Sequence, residues 1–467
     1  MHAPRQRIGY TRRAVTQSAK GSEMAYPEVV VAGAGLAGCE AALQLAARGV
    51  PVRLMEMRPL VPTAVHRTAD VAELVCSNSL KGTTPGSAAR GIKDELACMG
   101  SYLLDAARRT AIPAGGALAV DRERFSAAVQ ELLDANPLIR IERAECRSIP
   151  AGPAVIATGP LTSDALATEL ARELGSEGLA FYDAAAPIVE ASSIDREVVF
   201  AQSRYDKGGE ADYLNAPFDK ESYEAFVTEL VGAQRVIDKH FKRSELFAAC
   251  QPVEEVARTG MDALRFGALK PVGLTDPRTG RRPWAAVQLR AENAQASAYN
   301  LVGFQTNLRF GEQERVFRMI PGLEHAEFAR FGVMHRNTFV DTPHVLTRTL
   351  ALPKRPQVHL AGQLTGTEGY LEAVASGLFV ALAVYAELAG LPAPCLPRHS
   401  FLGALFDYAT DPATQDYQPM HVNHGILEPI EPKIRNKQQR QLANAERALA
   451  ELRAYVDSRQ DLFGGAA

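Results

Sequence analysis

Three valines in a row, Val29-Val30-Val31, close a short stretch from Pro27 that reads as a strand buried on both faces. Gly33 to Gly38 interrupts the run as a turn. From Cys39 to Arg48 the apolar residues recur at helical spacing, and Val52 to Met55 is again strand-like. Strand, turn, helix and strand in that order make a βαβ unit. Two further apolar runs end in glycine: residues 154–158 run into Gly159, and residues 357–361 into Gly362. Between about 198 and 335 the texture changes. Charges and aromatics become more frequent, and Lys207-Gly208-Gly209 and Lys270-Pro271-Val272-Gly273 break the pattern. Near the end, Leu442, Ala445, Leu449, Leu452 and Val456 mark one face of an amphipathic helix, best explained by packing against the body. The expected fold class is α/β, a Rossmann-like nucleotide-binding domain interrupted by an inserted α+β domain. The expected units are a disordered tail over 1–24, the first part of the parent domain over 25–197, the substrate-facing insert over 198–335, the second part over 336–430, and the C-terminal helix and tail over 431–467.

Composition narrows this picture only slightly. At 467 residues the chain exceeds one small domain. With 46% hydrophobic and 22% charged residues it reads as ordinary globular protein, and no apolar run is expected to span a membrane. A net charge of −3 excludes a chain that is basic throughout but permits a local basic face for RNA. The six cysteines are scattered without a CxxC pair, which points to reduced thiols and a cytoplasmic location and leaves no expected metal site. Residues 1–23 carry five cations and no acid before Glu23. They read as a tail, or as sequence upstream of a start at Met24, with a targeting peptide or an RNA-binding arm as alternatives.

Gly33, Gly35 and Gly38 form GxGxxG between a strand and a helix, and Glu56 ends the second strand. That spacing suits a dinucleotide. The first glycine allows a tight turn, the second lets backbone approach a pyrophosphate, and the third lets helix and strand pack closely. N–H groups at the helix start hold phosphate, and an acid about twenty residues on bonds ribose hydroxyls. The candidate cofactor-binding residues are therefore Gly33, Ala34, Gly35, Leu36, Ala37, Gly38 and Glu56. Thr158 and Gly159 in the ATG turn, and Gly362, Gln363, Thr365 and Gly366 in the segment 362–377, add positions suited to a flavin nucleotide, so the expected cofactor is FAD.

Longer motifs carry a resemblance. GAGLAGCEAA at 33–42, EMRP at 56–59, ELVCSNSLKG at 73–82 and PAGGALAVDRERFS at 113–126 are joined by LRFGALKPVGL at 264–274, GVMHRNTF at 332–339 and AGQLTGTEGYLEAVASGL at 361–378. Together they cover nearly all of residues 27–430. The chain resembles the folate- and FAD-dependent tRNA (uracil-54-C5)-methyltransferases, which are related to the glucose-inhibited-division type of tRNA-modifying flavoprotein. The resemblance implies 5,10-methylenetetrahydrofolate as one-carbon donor, NADH or NADPH as reductant of FAD, and a T-loop uridine of tRNA as substrate. The same chemistry on ribosomal RNA stays open, as do monomer and dimer.

Uracil C5 is a poor nucleophile until a group adds at C6, and a thiolate is suited to that addition. The resemblance ties two cysteines to catalysis. One is present as Cys76, set among Ser77, Asn78, Ser79 and Lys81, with Lys81 the expected cation beside the thiol. The other, credited with attack on C6, corresponds to Ala216 in the segment Tyr213-Leu214-Asn215-Ala216-Pro217, and a methyl side chain cannot attack. Four readings stay open: an engineered replacement, Cys76 as the nucleophile, a branch acting on another RNA, or a flavin oxidoreductase or RNA-binding protein that has lost methyl transfer. Cys39, Cys98, Cys146, Cys250 and Cys395 are expected to be structural. Arg265, Lys270, Arg282 and Trp284, with Arg281, Arg290 and Phe266, combine cations with aromatics as candidates for RNA contact, and His335 and Arg336 as candidates facing the site.

Overall fold

A computed structural model of the chain describes residues 26–63, 65–175, 179–184, 186–206, 212–237, 251–415 and 417–464. The expected N-terminal tail, Lys207 to Gly209 and Cys250 lie outside the described residues, as do the side chains of 179–184 and of His335, Arg336 and Asn337.

The apolar runs of the sequence become the centre of one sheet. Its spatial order is Ala351–Leu352, Arg355–Leu360, Ala154–Ile156, Val29–Ala32, Val52–Glu56 and Ile139–Arg143. All neighbours are parallel except the first pair. Strand Arg355–Leu360 pairs directly with Ala154–Ile156 although about 200 residues of chain separate them, so the parent sheet is closed by a late return of the chain. Val29 to Ala32 are buried without exception, as a central parallel strand covered on both faces requires. Helix Leu36–Ala47 covers one face, and helix Tyr370–Ala389 packs on it. That contact depends on a missing side chain. A Cβ at Gly377 would lie 2.1 Å from the Ala37 carbonyl oxygen.

The intervening chain builds a second sheet, wholly antiparallel, in the order Phe200–Ala201, Tyr213–Phe218, Ala285–Ala291, Ala298–Leu301, Ile188–Glu190 and Phe328–Arg330. It has its own core, in which Phe218, Phe226, Phe304 and Phe317 make successive ring contacts at 5.2, 6.2 and 5.3 Å. Its strand Ile188–Glu190 lies ahead of position 198. The three residues Ile-Val-Glu carry no change in charge or aromatic content, so the texture of the sequence does not mark them. Strands Leu179–Ala184 and Met334–Phe339 pair antiparallel in a two-stranded ladder where the chain leaves and re-enters the parent sheet. The architecture is α/β, with a mainly parallel sheet interrupted by an α+β unit.

Two helices refine the sequence reading. Tyr370–Ala389 is, against expectation, long and apolar enough to cross a membrane by length and composition, but 83% of its apolar window is buried inside the protein. Helix neighbours on several sides, not lipid, account for its apolar surface. Helix Lys437–Ser458 buries Asn444, Ala448 and Leu452 against the body, chiefly on helix Ala88–Cys98.

Candidate functional site

The glycine loop opens one wall of a cleft at the carboxyl ends of the parallel strands. Gly33 has φ +98°, and a Cβ there would meet the Ala157 carbonyl oxygen at 2.5 Å. A Cβ at Gly38 would lie 1.8 Å from the Gly33 carbonyl oxygen. Around Gly35, in contrast, a Cβ would meet nothing within 4 Å. The loop is tight behind and open in front. Gly35 also caps helix Leu36–Ala47 without any side-chain hydrogen bond, so the first-turn N–H groups face the cleft for an anion. These are the features a dinucleotide pyrophosphate needs, and the residues present fit that group.

Gly33, Gly35, Leu36, Ala37, Glu56, Thr158, Gly159, Gly362 and Gln363 line this one cleft. Glu56 accepts from the Ala34 N–H at 3.0 Å with one oxygen. Its other oxygen accepts from the backbone N–H of Arg58 at 3.0 Å and its Nε at 2.8 Å. Burial pushes the Glu56 carboxyl up, but the hydrogen bonds and charge of Arg58 outweigh it and hold the group below its ordinary value. It is an ionised acceptor at the end of its strand. Four candidates stand behind the wall. Ala34 serves Glu56, Gly38 packs on the turn, and Thr365 Oγ1 donates to the Gly362 carbonyl at 2.8 Å. Gly366 takes φ +73° where a Cβ would strike the Tyr417 hydroxyl at 2.4 Å.

Arg58 and Tyr370 are not marked by spacing, although they lie in the segments EMRP and AGQLTGTEGYLEAVASGL. Arg58 is almost fully buried and binds Glu73 at 2.8 Å and the carbonyls of Thr68 and Asp70 at 3.2 and 3.0 Å, which folds residues 66–73 beside the cleft. Tyr370 lines the cleft and accepts the backbone N–H groups of Cys76 at 2.8 Å and Ser77 at 3.1 Å. Burial pushes its hydroxyl well above the ordinary value, so it stays protonated. Val75 also lines the cleft, and Cys76 follows it directly.

The surroundings of Cys76 differ from the expected ones. Lys81 is bound to the buried Glu372 at 2.6 Å. The cations that grip the Cys76 loop are arginines. Arg122 donates to the carbonyls of Leu74 and Cys76 and pairs with Glu292; Arg330 donates to the Val75 carbonyl. Arg290, an expected RNA contact, is instead buried and donates to Ser77 Oγ at 2.6 Å and Asn78 Oδ1 at 2.8 Å. Arg122 lies inside the quoted motif at 113–126, and Arg330 two residues before that at 332–339; only the fold shows that they converge.

Ala216 lies in strand Tyr213–Phe218, fully buried, and shares the second core with Leu214 and Phe218 at the two-residue period of a strand. Position 216 therefore faces a hydrophobic core and not the cleft. The candidate RNA contacts are not gathered at the cleft either. Arg265 stacks on Trp284, its guanidinium carbon 3.6 Å from the ring centroid, and donates to the Trp284 carbonyl at 2.9 Å. Lys270 and Arg282 are exposed. Trp284 precedes strand Ala285–Ala291, whose far end carries Arg290 and meets the Cys76 loop. Six residues of strand put this cluster roughly 20 Å from that loop. Main-chain pairing places His335 opposite Asp183 and Arg336 opposite Tyr182. Among the structural cysteines Cys39 is buried and Cys98 and Cys146 half-buried, but Cys395 is exposed, contrary to the expectation of packing.

The chain matches the model of the family described as glucose inhibited division protein A over residues 28–392. It is 51% identical over 428 residues to the methylenetetrahydrofolate--tRNA-(uracil-5-)-methyltransferase TrmFO of Desulfitobacterium hafniense, covering 91% of this chain and 98% of that one. The proteins of the same name from Symbiobacterium thermophilum and Enterococcus faecalis are 51% and 49% identical, covering 93% and 90% of this chain and 98% and 97% of theirs. Among solved structures, Aquifex aeolicus GidA in its form I crystal superposes with a TM-score of 0.68 at 16% identity, over 94% of this chain and 77% of that one. Its form II crystal gives 0.66 at 17% identity, over 94% and 74%. That likeness concerns the fold.

Proposed function

Since this chain belongs to the glucose inhibited division protein A family and, within it, to the TrmFO group, we propose that it methylates carbon 5 of a uridine in tRNA. In this reading methylenetetrahydrofolate is the carbon donor, FAD occupies the glycine-lined cleft, and NADH or NADPH is the reductant. The target is the T-loop uridine, and the enzyme works in the cytoplasm. One observation carries the reading: Tyr370 both lines the dinucleotide cleft and holds the backbone of Cys76, so a thiol stands next to the wall of a redox-cofactor site.

Bound FAD would supply the electrons that convert a transferred one-carbon unit to a methyl group. The chain's own residues do the rest. Uncapped N–H groups of helix Leu36–Ala47 hold pyrophosphate, and the Glu56 carboxylate takes ribose hydroxyls. Cys76 is the nucleophile for uracil C6, since Ala216 has no reactive group and faces a core. Its thiolate would add to C6, and C5 would attack the methylene carbon of the donor as one C–N bond to folate opens. Loss of the C5 proton would break the second C–N bond, releasing tetrahydrofolate and leaving an exocyclic methylene. A hydride equivalent delivered to that carbon would complete the methyl group as the thiolate departs from C6. The target base must be turned out of the folded RNA to reach this loop.

Cells lacking the gene test the reading. Mass spectrometry of their purified tRNA should show 5-methyluridine lost at the T-loop. Unchanged 5-methyluridine in tRNA, with loss from ribosomal RNA instead, would transfer the chemistry to that substrate.

A further inference from the structure

The loop carrying Cys76 lies where the two sheets meet, and side chains from both hold it. From the parent side come Arg122, at the first position of helix Arg122–Asp134, and Tyr370, at the first position of helix Tyr370–Ala389. From the inserted side come Arg290 and Glu292 at the end of strand Ala285–Ala291, and Arg330 at the end of the edge strand Phe328–Arg330. Arg122 binds the carbonyls of Leu74 and Cys76, and Arg330 that of Val75. Arg290 is spent on the neutral groups of Ser77 and Asn78. Against these three cations stands one carboxylate, Glu292, bound to Arg122. Arg330 Nε and Glu292 Oε1 are buried with no hydrogen-bond partner among the described residues.

Burying cations in excess of anions is costly unless a negative group completes the site. Within this cluster the group that can become negative near neutral pH is the Cys76 thiol, since Tyr370 holds its proton. Arg122, Arg330 and Tyr370 each interact electrostatically with Cys76. Lys81, the cation nearest in sequence, is neutralised by Glu372. We propose that Arg122 and Arg330 are positioning residues that make the Cys76 thiol reactive at neutral pH, by fixing residues 74–76 through their carbonyls and by supplying the positive charge that a thiolate needs. A guanidinium suits both tasks, because it keeps its charge when desolvated and its fork binds carbonyls and anions together. The inference rests on Cys76 as the reacting thiol of the proposed function, but it concerns this thiol alone and is readable without RNA or folate.

The test is alkylation of the full-length flavin-loaded chain by iodoacetamide between pH 6 and 9, followed at the Cys76 peptide by mass spectrometry. Arg122→Gln and Arg330→Gln should each slow alkylation at pH 7 about tenfold and move the midpoint of the pH profile upward. Arg330→Lys, which keeps the charge, should retain most of the rate. Wild-type rates and profiles in both Gln variants would overturn the proposal, and so would a Lys variant as slow as its Gln counterpart. Glu292→Gln covers the case of a Gln variant that does not fold. Removing the lone carboxylate should speed alkylation several-fold, and an unchanged or slower rate would refute the electrostatic part. A chain that alkylates as expected but methylates no RNA would overturn the proposed function and leave this inference standing.

Discussion

Ala216 shows how much one side chain's direction decides. The family resemblance presents it as a lost nucleophile, but its strand turns Leu214, Ala216 and Phe218 into one hydrophobic core. In the variant Ala216→Cys, the new thiol should resist alkylation in the native protein and react only after denaturation. Methyl transfer should not rise, and added volume in a packed core should cost about 1 kcal/mol of stability. Rapid native labelling at position 216, with a gain of activity, would contradict this geometry. Glu56 behaves oppositely, because its charge is in use. Glu56→Gln keeps the shape but loses the anion that accepts from Ala34 and Arg58. FAD affinity, read by flavin fluorescence titration, should fall about tenfold, which corresponds to ~1.4 kcal/mol. Glu56 could be identified from spacing because a dinucleotide site is local in sequence. Alternation puts Leu214, Ala216 and Phe218 on one apolar face, but only the fold shows which core that face meets.

At the scale of elements, the parallel strands were legible because a strand buried on both faces is apolar throughout. Val29–Ala32, Ala154–Ile156 and Arg355–Leu360 fall within two residues of the runs that announced them. The antiparallel sheet was legible only as a change in texture, because its pairings join segments far apart in the chain. Its packing also buries charge that sequence leaves unremarked. Glu254, in helix Val253–Ala257, accepts from the Asn307 N–H at 2.7 Å and the Thr306 hydroxyl at 2.9 Å, tying that helix to the loop before helix Phe310–Phe317. Burial pushes its carboxyl up to about 7. The folded state thus holds this proton up to about pH 7, whereas an unfolded glutamate releases it near pH ~4.3. Stability from this group is therefore full at acid pH and declines as pH rises through that window. Glu254→Gln, with its amide turned to the Thr306 hydroxyl, should unfold in urea much like wild type at pH 5. At pH 8 it should be more stable than wild type by roughly 2–4 kcal/mol. A Gln variant less stable at both pH values would show that the carboxylate is favoured in place.

For the whole molecule, the proposed chemistry is placed where the two sheets touch. One supplies a cleft with the backbone geometry for a dinucleotide; the other supplies Arg290, Glu292 and Arg330 to a loop whose cysteine adjoins that cleft. Sequence motifs named the cysteine and most of the cleft wall. They could not name the arginines, because Arg122 and Arg330 stand 46 and 255 residues from the residues they hold, Cys76 and Val75. The cation and aromatic cluster at Arg265 and Trp284 is suggested by composition but lies at the opposite end of its strand from the Cys76 loop. The most direct measurement is a reconstitution: flavin-loaded protein, NADPH, methylenetetrahydrofolate labelled in its methylene carbon, and an unmodified tRNA transcript, with the digested nucleosides read by mass spectrometry. Labelled 5-methyluridine at one T-loop position, present with the wild-type chain and absent with Cys76→Ala, is the predicted result; NADPH consumption without label in RNA, or equal label with Cys76→Ala, would contradict it.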